Sequence, residues 1–96
     1  MPRIATHPGV ILKEELAGRG LSANRLALAI GVPSGRVTEI LAGRRAITAD
    51  TAIRLAEFFG GLPEFWLNLQ SQHDLSRLEA ERGKQIRSEV RKVNAG

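Results

Sequence analysis

Cysteine and tyrosine are absent from this chain of 96 residues, and it has no long apolar run. Without cysteine the protein forms no disulfide, offers no thiol for catalysis and holds no cysteine-based zinc site. A membrane-spanning helix needs roughly 20 apolar residues, and no segment approaches that length. The opening residues MPRIATHPG also lack the apolar core of a signal peptide. We therefore expect a cytoplasmic protein that does not enter a membrane.

Groupings of residues that carry catalysis are missing as well. His7 and His73 are far apart in the sequence, and neither has a carboxylate and a nucleophile nearby, so each is interpreted as a cap or a surface residue. Glu14 and Glu15 are adjacent, which favours two solvated charges over a catalytic pair because successive helical residues point in different directions. We expect no enzyme, no metal and no cofactor.

Charge is divided into three blocks along a chain whose formal net charge is +4. Residues 1–45 carry seven basic and three acidic residues, residues 46–81 carry two and six, and residues 82–96 carry five and one. The basic front and tail indicate a polyanionic partner such as nucleic acid. The acidic middle would attract a basic protein, so a protein-interaction module is kept as an alternative.

Helical spacing of apolar residues dominates, and no alternating strand pattern is present, so we predict an all-α fold. An apolar share of 43% and a length of 96 residues are typical of one small domain. We place that domain at residues 1–81, followed by a basic tail at residues 82–96 that is partly disordered or helical. Gly83 is expected to interrupt the last helix.

Five helices are predicted from capping residues, prolines and glycines. The first helix runs from Pro8 to residues 18–20 with Thr6 or His7 as cap, and the second from about Ala23 to Ile30 with Ser22 as cap. The third runs from about Gly35 to Ala42. The fourth begins after Thr48 as cap and ends at residues 60–61, and the fifth runs from Pro63 to Leu78 or beyond.

Residues 22–45 hold the most informative pattern, two short amphipathic helices that meet at a glycine. Gly31 stands where the first helix must end in a left-handed conformation, which costs a residue with a Cβ about 1 kcal/mol or more. Pro33 prevents one continuous helix. This is the plan of a helix-turn-helix, whose second helix enters the DNA major groove. A solvated face of an ordinary helical bundle is the alternative.

The outward face of the second of these helices supplies the candidate base-reading residues, which are Ser34, Gly35, Arg36, Thr38 and Glu39. Arg36 lies near the N-terminal end, where such helices reach base edges, and arginine can pair bidentately with guanine. Ser34 could instead cap the helix. Glu39 would be repelled by phosphate unless it accepts from a cytosine amino group or pairs with Arg36. The candidate phosphate contacts are Ser22, Arg25, Arg44 and Arg45.

Four aromatic residues are clustered towards the end of the predicted domain, namely Phe58, Phe59, Phe65 and Trp66. They could stack on nucleobases, but their spacing with neighbouring leucines is typical of core or interface packing. If Trp66 is buried, its indole N–H needs a partner.

Three motifs, HPGVILKEEL, LSANRLALAIGVPSGRVTEILAGRRAITADTAIRLAEFFG and PEFWLNLQSQHDL, cover about residues 7–75. With them the chain resembles the HigA-type antitoxins, also labelled VapI or addiction-module antidote, of the Xre/Cro-repressor-like helix-turn-helix superfamily. The resemblance implies a five-helix, lambda-repressor-like domain with a C-terminal helical extension. Three positions depart from the family pattern: Val10 replaces an acidic residue, Gly35 a long polar residue and Leu62 a capping serine.

The resemblance also implies a function. Such proteins bind double-stranded operator DNA as homodimers, repress their own toxin-antitoxin operon and neutralise a HigB/RelE-like mRNA-cleaving toxin. Phe65, Trp66 and Leu69 match the region that supports the dimer. A stand-alone Xre-family transcriptional regulator without a toxin partner is the alternative.

Overall fold

The computed structural model describes residues 3–92, and α-helices make up most of this range. They are α1 (Pro8–Arg19), α2 (Ala23–Ile30), α3 (Ser34–Leu41), α4 (Ala49–Phe59) and α5 (Pro63–Glu89). No strand occurs between residues 3 and 92, so the predicted all-α fold of five helices is confirmed. None of the helices in this range combines the length and the apolar character that crossing a membrane requires.

The helix starts follow local hydrogen-bonding chemistry. The side chains of His7, Ser22 and Thr48 each accept a hydrogen bond from a backbone N–H in the first turn of α1, α2 and α4, as predicted. Ser34, which the sequence offered as a possible cap of α3, does not cap it. Ser34 is the first residue of that helix, and Pro33 occupies the cap position without a side-chain hydrogen bond. Proline fits there because its restricted φ, here −61°, is compatible with the extended backbone of the cap position, where ψ is 145°.

The core forms where the apolar stripes of all five helices meet. It contains Leu12, Leu16, Leu26, Ala27, Ile30, Val37, Ile40, Ile47, Ala52, Leu55 and Trp66. α2 packs against α3 and α4, α1 against α3 and α5, and α4 against α5. A Cβ at Gly9 would overlap the carbonyl oxygen of Ile40, so this glycine permits the close approach of α1 to α3.

The turn between α2 and α3 has the predicted left-handed glycine. Gly31 ends α2 with φ 73° and ψ 38°, and the backbone N–H of Val32 donates to the carbonyl of Ala27 at 3.0 Å. This bond satisfies a carbonyl group that the end of a helix leaves without a partner. The turn therefore sets the direction in which α3 leaves α2.

The last helix is longer than predicted. α5 passes through Gly83, which is buried, and ends at Glu89, so the expected interruption does not occur. Residues 82–89 of the predicted tail are therefore helical, residues 90–92 are not, and residues 93–96 lie outside the described residues. The division of the chain at residue 81 stays a prediction.

The aromatic residues divide between core and surface. Trp66 is 3% exposed, Phe59 is half-buried against the core, and their ring centroids are 6.2 Å apart. Phe65 is 53% exposed and Phe58 is also exposed, so the prediction of core packing is wrong for these two residues. No fully buried side-chain nitrogen or oxygen within the described residues lacks a hydrogen-bond partner.

Candidate nucleic-acid interface

One face of α3 is available to a partner, because the opposite face lies in the core. Val37 and Ile40 are almost completely buried. Of the predicted base-reading residues, Ser34, Gly35 and Thr38 are exposed, whereas Arg36 and Glu39 are half-buried. Short polar groups at the start of the helix leave room for another surface to approach its first turn.

Arg36 belongs to an ion-pair network that joins α3 to α4. Its Nη1 donates to Asp50 at 3.0 Å, and Asp50 also accepts from Arg54 Nε at 2.9 Å. The hydrogen bond from Arg54, with further help from the charge of Arg36, holds the pKa of the Asp50 carboxyl below its usual range. Arg54 Nη1 in turn donates to the carbonyl of Ile30 at 2.8 Å, at the end of α2. The network thus connects the helix-turn-helix turn to Arg36.

Pairing of Glu39 with Arg36, one of the two alternatives that the sequence left open for Glu39, does not occur. Glu39 accepts instead from Arg45 Nη2 at 3.2 Å, in the loop that follows α3. Arg36 and Arg45 line the same cleft, of about 290 Å³, between α3 and the start of α4. The fold therefore brings a candidate base-reading arginine and a candidate phosphate contact to one place.

The basic loop between α3 and α4 is held by α5 through a buried glutamine. Gln70 accepts from the backbone N–H of Ile47 at 2.9 Å, and its Nε2 donates to Asp74 Oδ1 at 2.9 Å. Sequence reasoning missed this residue. Gln70 follows Trp66 by four positions and so falls on the buried face of a helix, where a polar side chain needs a specific partner.

The other candidate phosphate contacts lie at the start of α2. Ser22 and Arg25 are both exposed, and the Ser22 hydroxyl accepts from the Arg25 backbone N–H at 3.1 Å. The first turn of a helix favours negative charge because its N–H groups are not all paired within the helix. Arg44 is also exposed, in the loop after α3.

The residues predicted for a dimer surface have different environments. Phe65 is exposed and Leu69 is half-buried, whereas Trp66 is buried within the chain. The Phe65 ring makes an edge contact with Trp66, with 5.1 Å between the centroids. Phe65 is therefore the residue of this group that offers an apolar surface, and Trp66 supports it from beneath.

The two histidines, which are distant in the sequence, are neighbours in the fold. Their ring centroids are 4.9 Å apart, where the start of α1 meets α5. Burial, followed by the proximity of His73, lowers the pKa of His7, and Asp74 opposes this effect. Sequence reasoning had no signal for this contact, because it depends on how α1 packs on α5.

Comparison with known proteins places this geometry among DNA-binding regulators. A family model described as helix-turn-helix matches residues 12–67. The chain is similar to virulence-associated protein I of Dichelobacter nodosus, with 49% identity over 79 residues that cover 81% of this chain and 73% of the relative.

Two solved structures are similar over nearly the whole chain. An addiction module antidote protein of the HigA family from Coxiella burnetii has 51% identity and a TM-score of 0.88, with 95% of this chain and 100% of that chain covered. The antitoxin HigA of Pseudomonas aeruginosa with the higBA promoter has 39% identity and a TM-score of 0.86, with 98% and 100% covered.

Proposed function

Because this chain belongs to the HigA-type antitoxins of the helix-turn-helix family, we propose that it binds operator DNA as a dimer and represses its own toxin-antitoxin operon. This family consists of DNA-binding proteins and not of enzymes, in agreement with the expectation from the sequence. The observation that carries the proposal is the exposed face of α3, with Arg36 held by Asp50 beside a basic loop.

In this proposal α3 enters the major groove with its first turn towards the bases. Arg36 reads a guanine through two parallel hydrogen bonds, and Asp50 keeps its guanidinium in position until it meets the base. Ser34, Thr38 and Glu39 line the same groove, and Gly35 allows close approach because it has no side chain. Ser22, Arg25, Arg44 and Arg45 contact phosphates, which set the register on the duplex without reading sequence.

A dimer would present two copies of α3 to two half-sites about 34–36 Å apart, one turn of the DNA helix. Phe65 and Leu69 supply apolar contact area for it, supported by buried Trp66. Two-fold symmetry of the protein then requires a palindromic operator.

A titration of the promoter upstream of the gene tests DNA binding. We expect a mobility shift at a lower protein concentration than for random DNA, with affinity falling steeply as salt is added because phosphate contacts release counterions. Arg36→Lys keeps the charge and loses the paired hydrogen bonds, so it should reduce operator preference more than Arg25→Lys does. No preference over random DNA at moderate salt would refute the proposal.

Neutralisation of a HigB/RelE-like, mRNA-cleaving toxin is the second part of the proposal. Family membership supports it, and the acidic residues 46–81 would attract a basic partner. Co-expression with the neighbouring small basic protein should restore growth, and the two proteins should purify together. If no toxin-like reading frame adjoins the gene, the stand-alone regulator is the correct alternative.

A further inference from the structure

A second basic cavity lies where the loop between α3 and α4 faces α5. It has a volume of about 150 Å³ and is formed where the start of α1, this loop and α5 meet. Its charged and titratable lining residues are His7, His73, Arg44, Arg45, Asp74 and Arg77. Three arginines therefore face one carboxylate, that of Asp74, which already accepts a hydrogen bond from Gln70. The cavity favours an anion.

The cavity is continuous with the surface proposed to meet DNA. Arg45 lines both this cavity and the cleft that contains Arg36. Basic residues thus follow one another from Arg36 through Arg45 and Arg44 to Arg77. Among residues 3–92 neither Arg44 nor Arg77 takes part in an ion pair.

The two histidines have different roles that follow from their hydrogen bonds. The Nδ1 of His7 accepts from the Gly9 backbone N–H at 2.9 Å, so this ring carries its hydrogen on Nε2 when neutral, and protonation would break the cap of α1. The Nδ1 of His73 faces the Ala5 carbonyl at 2.7 Å and therefore donates. A neutral His73 ring with its hydrogen on Nδ1 has only an acceptor at Nε2, so the donors for an anion in this cavity are the arginines.

We propose that this cavity binds one backbone phosphate of the operator, with Arg44 and Arg77 as its contacts. The inference rests on the proposed DNA-binding function and extends the contact surface to α5.

Fluorescence anisotropy with the full chain and its promoter fragment tests the site. Each lost phosphate contact lowers the salt slope by about 0.9, which at ~0.1 M salt is about an eightfold loss of affinity per protomer and about a sixtyfold loss for the proposed dimer. We expect this loss for Arg77→Gln, by the same factor on operator and scrambled DNA. Arg82→Gln is the matched control, because it removes the same charge from another face of α5.

The inference is wrong if Arg77→Gln binds like the wild type or like Arg82→Gln. It is also wrong if Arg77→Gln impairs binding of inorganic phosphate alone and leaves DNA binding unchanged. A wild-type chain that does not prefer its operator would instead refute the proposed function.

Discussion

Replacing Gln70 by methionine removes one buried hydrogen bond with little change in volume. Gln70 is 7% exposed, and its Oε1 accepts from the buried N–H of Ile47 at 2.9 Å. Gln70→Met leaves that N–H without an acceptor, which should lower the free energy of unfolding by about 1–3 kcal/mol. In a domain of this size, that loss lowers the melting temperature by about 5–20 °C. Thermal unfolding followed by circular dichroism, at one protomer concentration, measures it.

Amide hydrogen exchange separates a local effect from a global one. In Gln70→Met the Ile47 amide should lose more protection than the amides within α2, because only the loop loses its hydrogen bond. Asp74→Asn is the control: it keeps an acceptor for Gln70 Nε2 and the bond to Ile47, so its stability should stay within about 0.5 kcal/mol of the wild type. If Gln70→Met melts like the wild type, or if the Ile47 amide keeps its protection, this hydrogen bond does not hold the loop.

Three further substitutions test the core, the turn and the recognition surface. Leu26→Ala should lower the free energy of unfolding by about 2–5 kcal/mol in a denaturant titration, because Leu26 is 0% exposed. Leu28→Ala, two residues away and 74% exposed, should change it by less than about 0.5 kcal/mol. Gly31→Ala should lower the free energy of unfolding by about 1–2 kcal/mol in the same titration, because φ is 73° at this position. An unchanged denaturation midpoint would contradict the left-handed turn. Asp50→Asn removes the ion pair of Arg36 and should therefore reduce the preference for the operator, measured as the Kd for random DNA divided by the Kd for operator DNA. An unchanged ratio would show that the ion pair does not orient Arg36.

Features that depend on a few adjacent residues could be predicted from the sequence. The helix caps at His7, Ser22 and Thr48 and the left-handed Gly31 follow from side-chain chemistry and backbone sterics. The buried stripes also follow, because helical periodicity places residues three and four apart on one face. The error at Gly83 has a physical reason: glycine weakens a helix by about 1 kcal/mol, which a long helix can tolerate.

Contacts between distant segments could not be predicted. The sequence left open a pair between Arg36 and Glu39, three positions along the same helix, but the partner of Arg36 is Asp50 from α4, which the packing of the helices brings within 3.0 Å. The hydrogen bond from Ile47 to Gln70 joins residues 23 positions apart. Phe58 and Phe65 have apolar spacing yet are exposed, because a single chain has too few elements to cover every apolar face.

By itself the sequence determined five helices, their turn glycines, their buried stripes and a basic helix-turn-helix of recognisable family. Those features are local, since neighbouring backbone and side-chain groups set them. Only the tertiary structure decided which charges meet: Asp50 with Arg36, Gln70 with the basic loop, and His7 with His73 beside Arg77. Charged and polar side chains follow no period that identifies a distant partner, so these contacts arise only after the apolar faces have fixed how the helices pack.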